Sequence, residues 1–120
     1  MECEIIIKKS KFLGYGFSIN SEKEFMDFLN DLKKKNKKAT HFCYCYTLNV
    51  NNTLIERFND DGEPGGTAGR PMLNILKLRN KQNYAVIVVR YFGGIKLGAG
   101  GLTRAYIKTA SQVIEWELKT

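Results

Sequence analysis

Six consecutive residues at positions 84–89 (YAVIVV) are apolar or aromatic, and they determine where the centre of a β-sheet must lie. Strict alternation of apolar and polar residues is typical of a strand with one face in water. A continuous apolar run instead predicts a strand that is covered on both faces or central in its sheet. The run is too short to cross a membrane, which takes roughly 20 apolar residues. We therefore expect one buried strand around which the other elements pack.

Short strands and helices alternate along the rest of the chain. Period-two alternation and a turn at Asn51-Asn52 predict strands, in a hairpin over 4–19 and in the segments 41–50 and 53–58. Apolar residues at helical spacing predict three helices: one after a Ser21–Glu24 capping box, one that begins at Pro71 and one over 102–116. The order is β-β-α-β-β-α-β-α. It favours an α/β (α+β) fold, a two-layer sandwich with helices on one face of a mixed sheet.

Length and composition predict one domain that folds without staples. The 120 residues are 43% hydrophobic, so we expect a single domain over 1–120 that needs no disulfide to fold and binds no metal or other cofactor. The number of cysteines is odd, which is more typical of a reducing compartment than of a secreted protein. The first residues, MECEIIIKKS, do not resemble a signal peptide, so we expect a cytoplasmic protein that does not contact a membrane. His41, Cys43 and Cys45 alternate along a strand, too far apart to bind one zinc ion, so we expect a buried face.

Positive charge is concentrated in the second half of the chain. The formal net charge is +7, and residues 64–114 contain eight Lys and Arg residues but no Asp or Glu. Such a stretch favours a polyanionic partner, with RNA as the leading candidate. The alternative is a basic surface that has no specific ligand.

Two glycine-rich segments contain the polar residues with the clearest functional character. The segment 60–71 (DDGEPGGTAGRP) places acids before glycines, and the segment 90–106 (RYFGGIKLGAGGLTRAY) has five glycines between positions 93 and 101. Both segments are predicted to lead into the amino end of a helix, where backbone N–H groups and the helix dipole bind anions. The phosphate-binding hypothesis competes with one in which the glycines only form tight turns.

Candidate site residues come from these two segments. The proposed phosphate- or RNA-binding residues are Arg70, Arg90, Tyr91, Gly93, Gly94, Lys96, Gly98, Gly100, Gly101, Thr103 and Arg104. The first segment adds a backbone loop of Gly65, Gly66 and Thr67. Tyr91 and Tyr106 are candidates for stacking on bases, or for the core. We expect Asp60, Asp61 and Glu63 to cap a turn or to pair with Arg70 and Arg104; the alternative is that they bind Mg²⁺. No catalytic residue and no metal site is assigned.

The two segments together resemble the signature of the IMPACT/YigZ family, as DDGEPGGTAGRPML at 60–73 and VVRYFGGIKLGAGGLTRAY at 88–106. KKSKF and ATHFCYCY are similar to earlier landmarks of that family, so the resemblance covers residues 4–115. Gly65 stands where many members carry Ser. The resemblance implies a fold like the second domain of ribosomal small-subunit protein 5. Domain IV of the translocase elongation factor and a group of small-molecule kinases share that fold.

The resemblance also implies a function. Eukaryotic members of the family regulate translation by binding the ribosome-associated activator of an initiation-factor kinase. Bacterial members carry a ferredoxin-like C-terminal domain, which we expect to be absent here. We therefore expect a translation-associated regulatory protein whose basic, glycine-rich face contacts RNA or the ribosome, and we favour binding over catalysis. The alternatives are a Mg²⁺-dependent enzyme that binds a phosphate or nucleotide with the same loops, and a module that binds a translation-factor protein.

Overall fold

A five-stranded antiparallel sheet forms the centre of the structure, a computed structural model that describes residues 1–114. The strands are β1 (Glu2–Ile7), β2 (Ser10–Ser18), β3 (His41–Val50), β4 (Thr53–Asn59) and β5 (Tyr84–Tyr91). The helices are α1 (Glu22–Lys35), α2 (Gly69–Leu78) and α3 (Gly98–Val113). The strand order in the sheet is β1-β2-β5-β3-β4, and every neighbouring pair is antiparallel. The predicted α+β sandwich and the predicted order of elements are confirmed.

The apolar run at 84–89 is the central strand that the sequence predicts. β5 pairs with β2 on one side and with β3 on the other, and its first seven residues are buried. Its side chains alternate between the two faces of the sheet. Tyr84, Val86 and Val88 face α2 and α3, whereas Ile87 and Val89 face α1. Both faces are covered, which explains why the run contains no polar residue.

The structure differs from the prediction in two respects, the placement of the helices and the direction of the strands. α2 and α3 pack on one face of the sheet, but α1 packs on the opposite face, where Phe25 and Leu29 meet the odd-numbered residues of β5. The sheet is also wholly antiparallel rather than mixed. The reason is visible in β2, where Phe12 faces α3 while Leu13 and Phe17 face α1. Both faces of the sheet carry apolar side chains, so a helix on each face is required to bury them.

Helix α3 approaches β2 more closely than a side chain at Gly16 would allow. A Cβ atom at Gly16 would lie 1.9 Å from the carbonyl oxygen of Val113, so only glycine permits this approach. α3 begins at Gly98, four residues before the predicted start, and α2 begins at Gly69 rather than at Pro71. The predicted end of α3 at 116 lies outside the described residues. In the described part of the chain, no helix combines the length and apolar character that crossing a membrane requires.

Candidate functional site

The first acid of the segment 60–71 binds that segment's own backbone. The carboxylate of Asp60 accepts hydrogen bonds from the N–H groups of Gly66 at 3.0 Å, Ala68 at 3.1 Å and Gly69 at 2.8 Å. The last two groups form the amino end of α2, where an anion is stabilised by free N–H donors and by the helix dipole. Asp60 therefore occupies the position that an external phosphate would take at this helix.

Asp61 and Thr67 have similar structural contacts. The carboxylate of Asp61 accepts from the N–H group of Phe42 at 2.6 Å, and the hydroxyl of Thr67 donates to the carbonyl of Pro64 at 2.6 Å. Of the two roles predicted for the acids, Asp60 has the first: it caps a turn through its hydrogen bonds to backbone N–H groups. Within residues 1–114, no group of three His, Cys, Asp or Glu side chains is arranged to hold a metal ion.

A buried ion pair joins this segment to the central strand. Nη1 of Arg90 donates to both carboxylate oxygens of Glu63, at 2.9 and 2.8 Å, and Nη2 donates to the hydroxyl oxygen of Ser10 at 3.1 Å. Arg90 is 4% exposed and Glu63 is 7% exposed. The sequence predicts that Arg90 binds a phosphate from the solvent and that Glu63 pairs with another arginine. The structure instead places Arg90 in the interior, where the carboxylate of Glu63 compensates its charge.

Further polar groups converge on the same carboxylate. Glu63 accepts from the hydroxyl of Tyr106, and its carboxylate lies 3.3 Å from Nε2 of His41, whose Nδ1 lies 2.7 Å from the carbonyl oxygen of Asp61. The thiol of Cys43 donates to the hydroxyl oxygen of Tyr106 at 3.3 Å. Burial raises the pKa of the Cys43 thiol and of the Tyr106 phenol, so both are neutral donors. Tyr106 is fully buried, so of its two predicted places it takes the core.

Two other predicted residues lie apart from the second glycine segment. The hydroxyl of Tyr91 donates to Oδ1 of Asn36 at 2.6 Å, and its ring packs on the α1 face of the sheet. The guanidinium of Arg70 lies 4.8 Å from the ring centre of Phe58, next to the edge strand β4. The structure therefore does not bring Tyr91 or Arg70 together with Arg104.

The second glycine segment brings the amino end of α3 next to the β1–β2 turn. A Cβ atom at Gly93 would lie 2.1 Å from the carbonyl group of Lys9, so only glycine permits this approach. The N–H group of Gly93 also donates to the hydroxyl of Ser10 at 3.2 Å. Gly98, with a φ of +76°, turns the chain into α3. The remaining predicted residues of the segment, Gly94, Gly100, Gly101 and Thr103, lie in the same loop or in the first turns of α3.

Five exposed cations from the β1–β2 turn, the loop before α3 and α3 itself form what we call the basic face. Its residues are Lys8, Lys9, Lys96, Arg104 and Lys108. A cavity of about 210 Å³ is lined by the side chains of Lys8, Arg104 and Lys108. A second cavity of about 390 Å³, lined by Lys96, adjoins it through the shared residue Leu97. Glu63 is the one acid in the lining of either cavity, and it is buried against Arg90. The basic face is therefore strongly electropositive.

Three lysines of the basic face are not among the predicted site residues: Lys108, which lies in α3, and Lys8 and Lys9, which form the β1–β2 turn. Ile7 pairs with Ser10, so the turn has two residues, and Lys8 and Lys9 have φ values of 45° and 66°. A two-residue turn with two positive φ angles normally contains Asn-Gly. Residues held in such strained conformations cluster at functional sites, so the two lysines are candidates for a role in binding. The sequence signal that could have identified Lys8 and Lys9 is a short hairpin turn that contains neither Asn nor Gly.

Comparison with known proteins identifies the family. Residues 8–114 match the family model of the Impact N-terminal domain. The chain belongs to the IMPACT family. It is 49% identical over 111 residues to the IMPACT family member YvyE of Bacillus subtilis, a match that covers 92% of this chain and 51% of YvyE. The chain spans about half the length of the bacterial relatives it matches.

Solved structures agree with the fold. A crystal structure of a hypothetical protein has a TM-score of 0.87 and 33% sequence identity, over 93% of this chain and 55% of that one. The structure described as that of the two-domain translational regulator Yih1 has a TM-score of 0.60 and 23% identity. It covers 92% of this chain and 45% of its own. At that identity the likeness to Yih1 concerns the fold alone.

Proposed function

We propose that this IMPACT domain belongs to a translation-associated regulatory protein and that its basic face binds the phosphate backbone of RNA, including ribosomal RNA. The observation that carries the proposal is that four exposed cations, Lys8, Lys96, Arg104 and Lys108, line two adjoining cavities, with Lys9 beside them in the β1–β2 turn. Lysine and arginine side chains neutralise phosphates and release the counterions that surround a nucleic acid. A regulatory protein that acts in translation has RNA as its nearest polyanion.

The amino end of α3 adds to the attraction for phosphate. No side chain caps this end, and its first turn contains no acid. The partial positive charge of the helix dipole therefore faces the same region as Lys96 and Arg104. At the amino end of α2 the equivalent charge is already neutralised by Asp60. The geometry thus favours the second glycine segment as the nucleic-acid site and gives the first segment a structural role.

The link to translation comes from the family. Yih1, which shares the fold, is described as a translational regulator, and this chain spans about half the length of its bacterial relatives. A translation-factor protein as partner is the main competing proposal. The Mg²⁺-dependent enzyme has less support because Asp60, Asp61 and Glu63 are all engaged by hydrogen bonds from this chain.

The test is a titration of the domain, freed of nucleic acid, with fluorescently labelled single-stranded RNA at several salt concentrations. Five phosphate contacts predict a slope of about −3.5 for the logarithm of the binding constant against the logarithm of salt, at about 0.7 per contact. The variant Arg104→Gln/Lys108→Gln should reduce the magnitude of the slope by about 1.4. The matched control is Lys34→Gln/Lys35→Gln, which removes two exposed charges from α1 on the other face of the sheet.

Arg90 is not changed in this test because its burial against Glu63 makes it a stability residue. Binding that is independent of salt, or equally weakened in the variant and in the control, would contradict the proposal. Recovery from a lysate of a translation-factor protein that stays bound to the domain after nuclease treatment, together with no affinity for RNA, would favour the competing proposal.

A further inference from the structure

The larger cavity of the basic face combines apolar walls with hydrogen-bond donors. Its volume of about 390 Å³ lies in the lower part of the range for small-molecule sites, roughly 300–1,000 Å³. The apolar walls are formed by Pro64, Phe92, Leu97 and Leu102. The side chain of Phe92 is 48% exposed. Its ring offers a flat apolar surface at the edge of the cavity.

The first donors are the backbone N–H groups at the amino end of α3. Gly98 and Ala99 line the cavity, and no side chain caps this helix. The N–H groups of a helix's first turn have no partner within the helix. Lys96, one residue before the Leu97 cap position, lines the same cavity and adds a full positive charge.

The second, independent observation concerns the buried guanidinium of Arg90. Arg90 lines the cavity and is 4% exposed, and its Nε–H group has no hydrogen-bond partner within residues 1–114. A buried donor without an acceptor destabilises a protein, and native structures contain few of them. This donor is buried within the wall of the cavity, so an acceptor that enters the cavity reaches it once the wall shifts.

The charges around the cavity select the sign of its ligand. Arg90 and Glu63 neutralise one another, so Lys96 and the dipole of α3 leave the cavity electropositive. The lining therefore favours a ligand with an anionic group and with a flat apolar part that packs on Phe92. A nucleotide has both properties, because its phosphate is anionic and its base is flat.

We infer that this cavity binds one nucleoside monophosphate unit, with its phosphate at Lys96 and the amino end of α3 and its base on Phe92. The inference rests on the proposed function in so far as the unit is one nucleotide of the RNA strand bound by the basic face. Stacking on an exposed aromatic ring is tolerant of sequence, since every base has a flat face. The cavity would then hold a base out of the strand while the cations bind the backbone.

The experiment follows the amide signals of the ¹⁵N-labelled domain during titration with AMP, CMP, GMP and UMP, and separately with inorganic phosphate. We expect saturable shifts at Gly98 and Ala99 with the nucleotides and a weaker response to phosphate alone. Phe92→Ala should lower the affinity for mononucleotide and for RNA about five-fold or more, the effect of losing one stacked base. The control is Leu78→Ala, which removes an exposed apolar side chain that does not line this cavity. Lys96→Gln provides a second variant should Phe92→Ala fail to fold.

The outcomes separate this inference from the proposed function. If no mononucleotide shifts Gly98 or Ala99 while RNA binds the Phe92→Ala variant as tightly as the original protein, the inference is overturned and the proposed function stands. If inorganic phosphate binds as tightly as the mononucleotides, the assignment of a base to Phe92 is overturned. If mononucleotides bind and RNA does not, the proposed function fails and the cavity is supported as a site for a free nucleotide.

Discussion

Replacing the lysines of the β1–β2 turn by Lys8→Asn and Lys9→Gly should stabilise the fold and weaken RNA binding in the same protein. The φ values of 45° and 66° are left-handed, a conformation that disfavours an ordinary L-residue by roughly 1–2 kcal/mol. Removing this strain at both positions should stabilise the folded state by about 2–4 kcal/mol. The conformational freedom of glycine in the unfolded chain offsets about 1 kcal/mol of this gain, and the strain that asparagine retains in the turn offsets a similar amount. The free energy of unfolding should therefore rise by up to about 2 kcal/mol. The loss of two cations should reduce the magnitude of the salt slope for RNA binding by about 1.4.

Urea unfolding and RNA titration at several salt concentrations measure the two effects on the same preparation. The matched control is Asn52→Gly in the β3–β4 turn, where Asn52 has a φ of 62° and Val50 pairs with Thr53. On the same figures, this control should leave the free energy of unfolding nearly unchanged, and it should not change RNA binding. An unchanged salt slope in the Lys8→Asn/Lys9→Gly variant would remove the turn from the basic face. A loss of stability in that variant would refute the argument that the two lysines are strained.

Three further predictions concern stability, each measured by urea unfolding. Glu63→Gln should lower the free energy of unfolding by about 3–5 kcal/mol, because it leaves the charge of Arg90 buried without its partner; a smaller loss than 1 kcal/mol would contradict this. Gly93→Ala should destabilise by about 1–3 kcal/mol through contact with backbone, whereas Gly65→Ser, where a Cβ meets nothing within 4 Å, should change stability by less than about 0.5 kcal/mol. Burial raises the pKa of the Cys45 thiol above its ordinary 9.0, so the unfolded chain loses this proton first and stability falls as the pH rises above that value. Cys45→Val should remove about 1.4 kcal/mol per pH unit from that decline, and equal alkaline slopes in the two proteins would refute the assignment.

The sequence predicted the elements of the fold well because their signals are local. The run at 84–89 predicts β5 from six adjacent residues, and the Ser21–Glu24 capping box places the start of α1. The start of α3 was predicted too late, since glycines at 98, 100 and 101 are poor helix formers in a helix interior. At the amino end of a helix this weakness matters less. The face on which α1 packs has no local signal, because β2 and β5 are apolar on both sides.

The candidate site was predicted in part, for similar physical reasons. Lys96 and Arg104 are recognisable because they lie among glycines that precede a helix. The pairing of Arg90 with Glu63 joins residues 27 positions apart, and no spacing rule reveals it. The contribution of Lys8 and Lys9 depends on the approach of Gly93 to their turn, which is a tertiary contact. Charge and glycine content therefore indicate the region of the candidate site, and only the fold shows which cations share one surface.

The position of β5 in the sheet constrains how this domain forms on the ribosome. The β1–β2 and β3–β4 hairpins each pair locally, but neither pairs with the other, since β5 lies between them. No sheet larger than two strands can form before residues 84–91 have left the exit tunnel. An isolated two-stranded hairpin is marginally stable in water. Until residues 84–91 emerge, the nascent chain therefore leaves unpaired the edges of β2 and β3 that β5 later joins, and the insertion of this one strand converts both hairpins into the finished sheet.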